Sequence, residues 1–313
     1  MLDSTYIPRQ IGLEIETVCG YLGSGGNAQV QENLAALFNA NGLSAEARGY
    51  SHLPVNTDWA IETDSSLNFA DCPYRGVNVA SLEIKTRILR DLADFQTVVP
   101  KALELLRFTA CHVNTSTSMH QHISIPEIRE NPSIIRNLYN LIYKYQYVLF
   151  GLCPHSRLAS QYCQPLEPPS PALRRARSLS QFRRAMAPWD RYKVVNFTHI
   201  FEDMPRVEFR LWSSTLNPIK ALNTARLACG LIDHAVRRSV QSVEPLRNDR
   251  RSLESLLVST GFKVNSGIYS KVSPDLRETG RWILRRWFEF NGKQPFRPKA
   301  KGISRNSVLI GQG

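Results

Sequence analysis

The chain has 313 residues, of which 42% are hydrophobic and 21% charged, so its composition is that of a globular protein and not of a disordered one. Lys and Arg number 39 against 27 Asp and Glu, which gives a formal net charge of +12 at pH 7. No run approaches the roughly 18 apolar residues of a membrane-spanning helix, and the start, MLDSTYIPRQ, lacks the apolar stretch of a secretory signal. Six scattered cysteines without a C-x-x-C pair indicate reduced thiols, so we expect a cytoplasmic protein.

The spacing of apolar residues predicts strands and helices in the first half of the chain. Strands are expected at 11–18, 57–63, 77–85 and 117–125, and helices at 28–40, 92–110 and 133–151. Asn27 and Asp91 stand where side chains cap the first two helices, and Asn41-Gly42 is typical of a helix end. Pro100 predicts a kink or a split in the second helix.

The second half opens with a Pro- and Arg-rich stretch near 153–190, and long loops of this kind are often lids or binding loops. Strands are then expected at 192–199 and 206–212, and helices at 217–240, 250–260 and 274–290. This order predicts an α+β fold with a mainly antiparallel sheet. We predict one domain over 1–292, with the 153–190 stretch as an irregular insertion, and a basic mobile tail at 293–313.

Four predicted strands carry ionisable side chains on one face and apolar side chains on the other, because successive residues of a strand point to opposite sides. The polar sets are Glu14 and Glu16; Ser81, Glu83 and Lys85; His120, His122 and Ser124; and Glu208 and Arg210. If these strands share a sheet, carboxylates and imidazoles converge on one face. Crowded carboxylates resist ionisation unless a cation neutralises them, and oxygen-rich ligation favours Mg²⁺ or Mn²⁺ over zinc.

Each pattern taken singly also has an ordinary explanation. An E-x-E pair is often only a solvent-exposed strand face, an H-x-H pair is often structural or a zinc pair, and an E-x-R pair is often a weak surface ion pair. The coincidence of all of them on amphipathic strands of one chain favours a functional site.

These motifs, in this order, resemble the amidoligase family, whose members are relatives of the catalytic domain of glutamine synthetase and of glutamate–cysteine ligase. The resemblance covers roughly residues 10–235 and is carried by Gly12-Leu13-Glu14-Ile15-Glu16, Asp64-Ser65-Ser66, Leu82-Glu83-Ile84, Met119-His120-Gln121-His122-Ile123-Ser124, Asn196 and Val207-Glu208-Phe209-Arg210-Leu211. The chain departs from the family after Glu83. The family has an apolar residue followed by Ser-Pro there, and this chain has Ile84-Lys85-Thr86-Arg87, which affects the substrate side more than the metal site.

The resemblance implies an ATP-dependent carboxylate–amine ligase that works through an acyl phosphate, with ATP and Mg²⁺ or Mn²⁺ as cofactors. It also implies the glutamine-synthetase-like fold, a curved sheet with metal and nucleotide on its concave face and helices on the other. The implied metal ligands are Glu14, Glu16, Glu83, His120 and Glu208, and the implied nucleotide contacts are His122, Ser124, Asn196 and Arg210. Arg210 is also an implied catalytic residue, together with Arg157 and Asp64.

The partners and two other classes of function remain open. The expected substrates are a carboxylate and an amine or ammonia, with an acidic peptide among the options. A metal-dependent phosphotransferase or hydrolase is the first alternative, since fold alone does not fix a reaction. A nucleic-acid-binding or non-catalytic scaffold is the second, and only the +12 charge supports it. The oligomeric state is open.

Overall fold

A computed structural model describes residues 7–21, 25–51, 54–67, 78–188, 190–241, 244–262 and 274–292. The chain divides into two compact units. The sheet unit comprises Pro8–His122 and Trp212–Thr224, and the helical unit comprises Ile123–Leu211 and the chain from Ala225 onward, together with the first seven residues. The predicted single domain stays a prediction, and the predicted tail lies outside the described residues.

Strands and helices follow one another along the chain as expected for an α+β protein. In order they are β1 (Ile11–Tyr21), α1 (Gly26–Ala40), β2 (Ala45–Ala47), β3 (Trp59–Thr63), β4 (Asn78–Thr86), α2 (Leu92–Arg107), β5 (Cys111–His112), β6 (Ser118–Ser124), α3 (Ser133–Phe150), α4 (His155–Leu158), α5 (Pro171–Arg175), α6 (Leu179–Ala185), β7 (Val195–Asn196), β8 (Arg206–Ser213), α7 (Pro218–Arg237), α8 (Arg250–Ser259) and α9 (Pro274–Asn291). Short 3₁₀ turns lie at Pro126–Arg129 and Thr198–Phe201.

The sheet unit is built on strands in the order β2-β3-β4-β1-β6, with β5 paired to the far end of β1. The pairs β3–β4 and β4–β1 are antiparallel, and β2–β3 is parallel. The prediction of an α+β fold with a mainly antiparallel sheet is therefore confirmed.

Helices cover one face of this sheet. On β1 the residues Ile11, Leu13 and Ile15 are buried, as the alternation predicts. Helix α1 packs on β2, β3 and β4, and Phe38 meets Trp59 edge to face with ring centroids 5.8 Å apart. The start of α7 lies against the same apolar side of β6, where the Gln121 amide donates to the carbonyl oxygen of Ala221 at 3.2 Å. The opposite face carries the ionisable residues.

The helical unit has its core around α3. The Tyr145 hydroxyl bonds to the Ser255 and Ser259 hydroxyls of α8 at 2.8 and 3.0 Å. The Asn137 amide of α3 donates to the carbonyl oxygen of Ala235 in α7 at 3.1 Å. Strand β7 pairs antiparallel with β8 in this unit. Among the described helices, none combines the length and the apolarity needed to cross a bilayer.

The structure confirms two of the predicted helix ends and contradicts a third. The Asp91 carboxylate accepts from the backbone N–H groups of Ala93 and Asp94, so it is the N-cap of α2 as predicted, and Pro100 does not split that helix. Asn41 ends α1, with Gly42 at φ +71°. The prediction that Asn27 caps α1 is wrong, because the helix begins at Gly26 and its N-cap position is Gly25, without a side-chain hydrogen bond.

Two further predictions need correction in the helical unit. The strand predicted at 192–199 shrinks to Val195–Asn196, because the Asn196 side chain accepts from the Thr198 N–H at 2.8 Å and turns the chain. The stretch predicted as irregular at 153–190 contains three short helices, α4, α5 and α6. Ser170 and Ser178 cap the latter two through their hydroxyl oxygens.

We expect Asp94→Asn to destabilise the protein by about 2 kcal/mol at pH 7. The Asp94 carboxylate accepts two bonds from Arg87, at 2.8 and 3.0 Å, and one from the Arg90 N–H at 2.9 Å. The bonds from Arg87 outweigh burial and hold the pKa of Asp94 well below its ordinary value. Because the pKa of Asp94 is lower in the folded state than in the unfolded state, its ionisation stabilises the fold at pH values above about 4, the unfolded-state pKa. This stabilisation is lost progressively as the pH falls below that value.

Urea unfolding from pH 3 to 8 measures this difference, with the exposed Asp203→Asn as the control. A difference that persists unchanged at pH 3 would contradict the prediction.

Candidate functional site

The strand register places acidic residues opposite one another on the polar face of the sheet unit. Glu16 of β1 lies opposite Glu83 of β4, and Glu83 lies opposite Glu62 of β3. Glu14 lies opposite Lys85. Side chains at paired positions of neighbouring strands have Cβ atoms about 5 Å apart, so these charges interact directly.

Two histidines of β6 complete the inner part of this cluster. His120 Nδ1 lies 3.2 Å from Glu14 Oε2, and its Nε2 lies 3.6 Å from Glu16 Oε1. His122 Nε2 lies 3.3 Å from Glu14 Oε1. Gly12 makes room for this arrangement, since a Cβ at that position would stand 3.3 Å from the Cβ of His122. The glycine of the G-x-E-x-E motif thus has a packing reason.

Ser118 fixes the orientation of two of these groups. Its backbone N–H donates to Glu16 Oε2 at 2.6 Å, and its hydroxyl lies 3.0 Å from His120 Nε2. These contacts hold Glu16 and His120 in one geometry before any ligand binds, which lowers the entropy cost of binding.

An outer row of charges borders the cluster on the β3 side. Lys85 Nζ lies 2.8 Å from Glu83 Oε2 and 3.0 Å from Glu62 Oε2. Glu62 is fully buried, and its other oxygen accepts from Arg48 Nε at 2.8 Å. Lys85 lies on the polar face, as the strand alternation predicts, whereas the sequence patterns pointed to neither Glu62 nor Arg48 as part of the site. The alternation of Ala60, Glu62 and Asp64 could have revealed Glu62, whereas Arg48 has no such signal.

The carboxylates of the cluster do not ionise alike. Burial raises the pKa of Glu83 well above its ordinary value, and the charge on Glu14 adds to this effect while Lys85 opposes it. Burial also raises the pKa of Glu16, against the influence of His120 and Ser118. For Glu14, burial alone would raise the pKa, but the charge of His122 and hydrogen bonds from both histidines lower it well below its ordinary value. Nearby positive charge therefore compensates the burial of Glu14, but it does not fully compensate the burial of Glu83 and Glu16.

Two groups of donors in the sheet unit could each hold a divalent ion. One comprises Glu14, Glu83 and His120, and the other comprises Glu16, Asp64 and Glu83; within each group the ligand atoms lie within 4.8 Å of one another. Carboxylates with a single imidazole suit Mg²⁺ or Mn²⁺. The raised pKa values of Glu83 and Glu16 are those expected of ligands that lack their cation, so the residues present fit such an ion.

The remaining predicted site residues lie in the helical unit. The Asn196 amide donates to Glu208 Oε2 at 2.7 Å, and the Arg210 guanidinium bonds to the other oxygen of Glu208. Arg157 is buried and donates to the carbonyl oxygens of Arg210 and Leu211 at 2.6 and 3.3 Å, so it holds the backbone of β8. Ser124 lies at the end of β6.

The structure thus brings six predicted residues together in the sheet unit: Glu14, Glu16, Asp64, Glu83, His120 and His122. It brings three together in the helical unit: Asn196, Glu208 and Arg210. The individual roles of all these residues, and those of Arg157 and Ser124, stay predictions.

The fold and the motifs agree with a family match over most of the chain. The family described as "Putative amidoligase enzyme" matches residues 7–232. The chain therefore belongs to the amidoligase family, which confirms the resemblance found in the sequence.

Among solved structures, the chain is similar to one in the crystal structure of the complex between prokaryotic ubiquitin-like protein Pup and its ligase PafA, with 11% identity and a TM-score of 0.35. The similarity covers 99% of this chain and 63% of the other, so this chain spans less than two thirds of that length. A likeness this low carries no argument about function. The comparison with curated proteins finds no match.

We expect Glu83→Gln to raise the melting temperature of the metal-free protein at pH 8 by several degrees. The pKa of Glu83 is raised in the folded state, so its ionisation costs stability at every pH above the unfolded-state value of about 4.3. The gain in melting temperature should vanish as the pH falls toward 4, because Glu83 then becomes protonated in both the folded and the unfolded state.

Thermal unfolding in EDTA across this pH range measures the effect, with Glu104→Gln on the exposed side of α2 as the matched control. A melting temperature that falls equally at pH 4 and pH 8 would show that Glu83 is held by packing contacts instead.

Proposed function

We propose that the protein is an ATP-dependent carboxylate–amine ligase that forms its amide bond through an acyl phosphate at a divalent-metal site. The observation that carries the proposal is the acidic face of the sheet unit, on which Glu14, Glu16 and Glu83 surround His120 in a chain of the amidoligase family. A carboxylate does not react with an amine at neutral pH until it is activated, and phosphorylation by ATP supplies a good leaving group.

Glu14, Glu83 and His120 would hold one divalent ion, and Glu16, Asp64 and Glu83 would hold a second or share the first. When bound, such an ion neutralises the phosphate charge that builds up during transfer. The chain's own groups prepare the site for it. His120 and His122 keep Glu14 ionised, and the Ser118 N–H orients Glu16.

Arg210 is the proposed contact for the transferred phosphoryl group. Its planar guanidinium can hold two phosphate oxygens at once, and Glu208 fixes its orientation. The metal-ligand role of Glu208 and the nucleotide contacts of His122, Ser124 and Asn196 rest on the family resemblance alone. For Arg157 we propose a positioning role through the carbonyl of Arg210, because its guanidinium is buried against β8.

We also propose that the sheet is the catalytic sheet of a glutamine-synthetase-like fold. The support is its two-sided character, with helix α1 and the start of α7 on the apolar face and the ionisable residues on the other. The cytoplasmic location stays a prediction.

The substrate class that the surface supports is an acidic carboxylate donor, such as an acidic peptide. Arginines 174, 175, 183 and 184 of α5 and α6 are all exposed, and their charge would attract a polyanion. Nucleic acid would be attracted by the same charge, and a binding titration with DNA as competitor separates the two.

We expect ATP turnover to require Mg²⁺ or Mn²⁺, to yield ADP and phosphate, and to rise when an amine is supplied. Glu14→Gln should lower turnover at least about 100-fold, because it removes an ionised ligand from the cluster. Glu104→Gln, an exposed carboxylate outside the site, should leave turnover unchanged.

Nucleotide analysis by chromatography, with a screen of carboxylates and amines by mass, tests this directly. AMP as the product, or turnover that survives chelation, would contradict the ligase mechanism. Turnover that no amine stimulates would favour the phosphotransferase or hydrolase.

A further inference from the structure

Lys85 is a cation held inside the acidic cluster by the protein itself. Its ammonium lies 2.8 Å from Glu83 Oε2 and 3.0 Å from Glu62 Oε2, and its side chain is only 13% exposed. It stands directly opposite Glu14 in the β1–β4 register.

Glu62 anchors this ammonium from the side away from the histidines. Glu62 is fully buried, and Arg48 Nε and the Ser51 N–H donate to its two oxygens at 2.8 and 3.2 Å. These two donors fix the position of the buried Glu62 carboxylate, because moving it would leave a buried charge without its partners. Lys85 therefore keeps one fixed partner, whatever binds to Glu83.

Glu83 is the residue that both candidate ion groups share. Two divalent ions that bridge through the separate oxygens of one carboxylate need both of them, and Lys85 holds one, Oε2. One oxygen is left for coordination. The ammonium also supplies one of the positive charges that a second ion would bring to the crowded acids.

We propose that the Lys85 ammonium takes the place of a second divalent ion at Glu83, so that Glu83 coordinates a single ion through its other oxygen. This inference rests on the proposed metal site. Lys85 is here a positioning residue that sets the number of metal ions, with Glu62 and Arg48 holding it.

Counting bound Mn²⁺ tests the proposal without any activity measurement. Protein freed of metal with EDTA is titrated with Mn²⁺, and the free ion is followed by electron paramagnetic resonance. Lys85→Met keeps the length of the side chain and removes the charge, so it should bind one more Mn²⁺ per chain than the wild type. Lys85→Arg, which keeps the charge, and Lys101→Met, on the exposed side of α2, should bind as the wild type does.

A second variant covers the case in which Lys85→Met does not fold, because it leaves Glu62 with less positive charge nearby. Lys85→Met combined with Glu62→Gln removes both charges of the pair. It should recover most of the melting temperature lost by Lys85→Met in EDTA, and it should also bind the additional Mn²⁺.

The outcomes separate this inference from the proposed function. If the wild type binds Mn²⁺ and both Lys85→Met variants bind the same number of ions, the role of Lys85 is overturned and the metal site stands. If no variant binds Mn²⁺, both are overturned. If only the Lys85→Met variants bind it, the wild type holds no ion at Glu83, which overturns both the single-ion inference and the metal requirement of the proposed function.

Discussion

The polar face of the sheet unit crowds carboxylates whose burial is only partly offset by the positive charges of the fold. Glu14, Glu16, Glu62 and Glu83 lie on three adjacent strands, and three of them are buried. Like charges at such distances repel strongly when water is excluded. Each carboxylate that stays ionised therefore needs a cation, and the fold provides cations unevenly. Glu62 has Arg48 and shares Lys85 with Glu83, and Glu14 has the two histidines, yet burial still raises the pKa of Glu16 and of Glu83.

This imbalance links the fold to the proposed chemistry. Period-two alternation in β1, β4 and β6 brings the acids and histidines to one face, because helix α1 and the first turn of α7 pack on the other. A protein that only needed a stable sheet would gain by replacing Glu83 with a neutral residue. Retaining a carboxylate with a raised pKa beside two others is typical of a site that receives charge from a ligand. In the function proposed above, a divalent ion and a nucleotide are the ligands that would bring this charge.

Much of this could be predicted from the sequence, since the strands that carry the site are amphipathic and the period of two is unambiguous. Glu14, Glu16, Glu83, His120 and His122 meet on the face where the alternation places them. The sequence did not reveal that Glu62 and Arg48 hold Lys85, because Arg48 lies outside the strands and its contact depends on how the chain folds back. The prediction of Asn27 as the N-cap of α1 is wrong because the helix already begins at Gly26. Strand β7 is shorter than predicted because the Asn196 side chain accepts from the Thr198 N–H and turns the chain.

Anomalous diffraction at the manganese edge, from crystals grown with Mn²⁺ and an ATP analogue, would locate the metal. We expect an anomalous peak within about 2.5 Å of donor atoms from Glu14, Glu83 and His120. A peak bound only elsewhere, or no peak while the nucleotide is visible, would contradict the claim that this sheet face is the metal centre of a ligase.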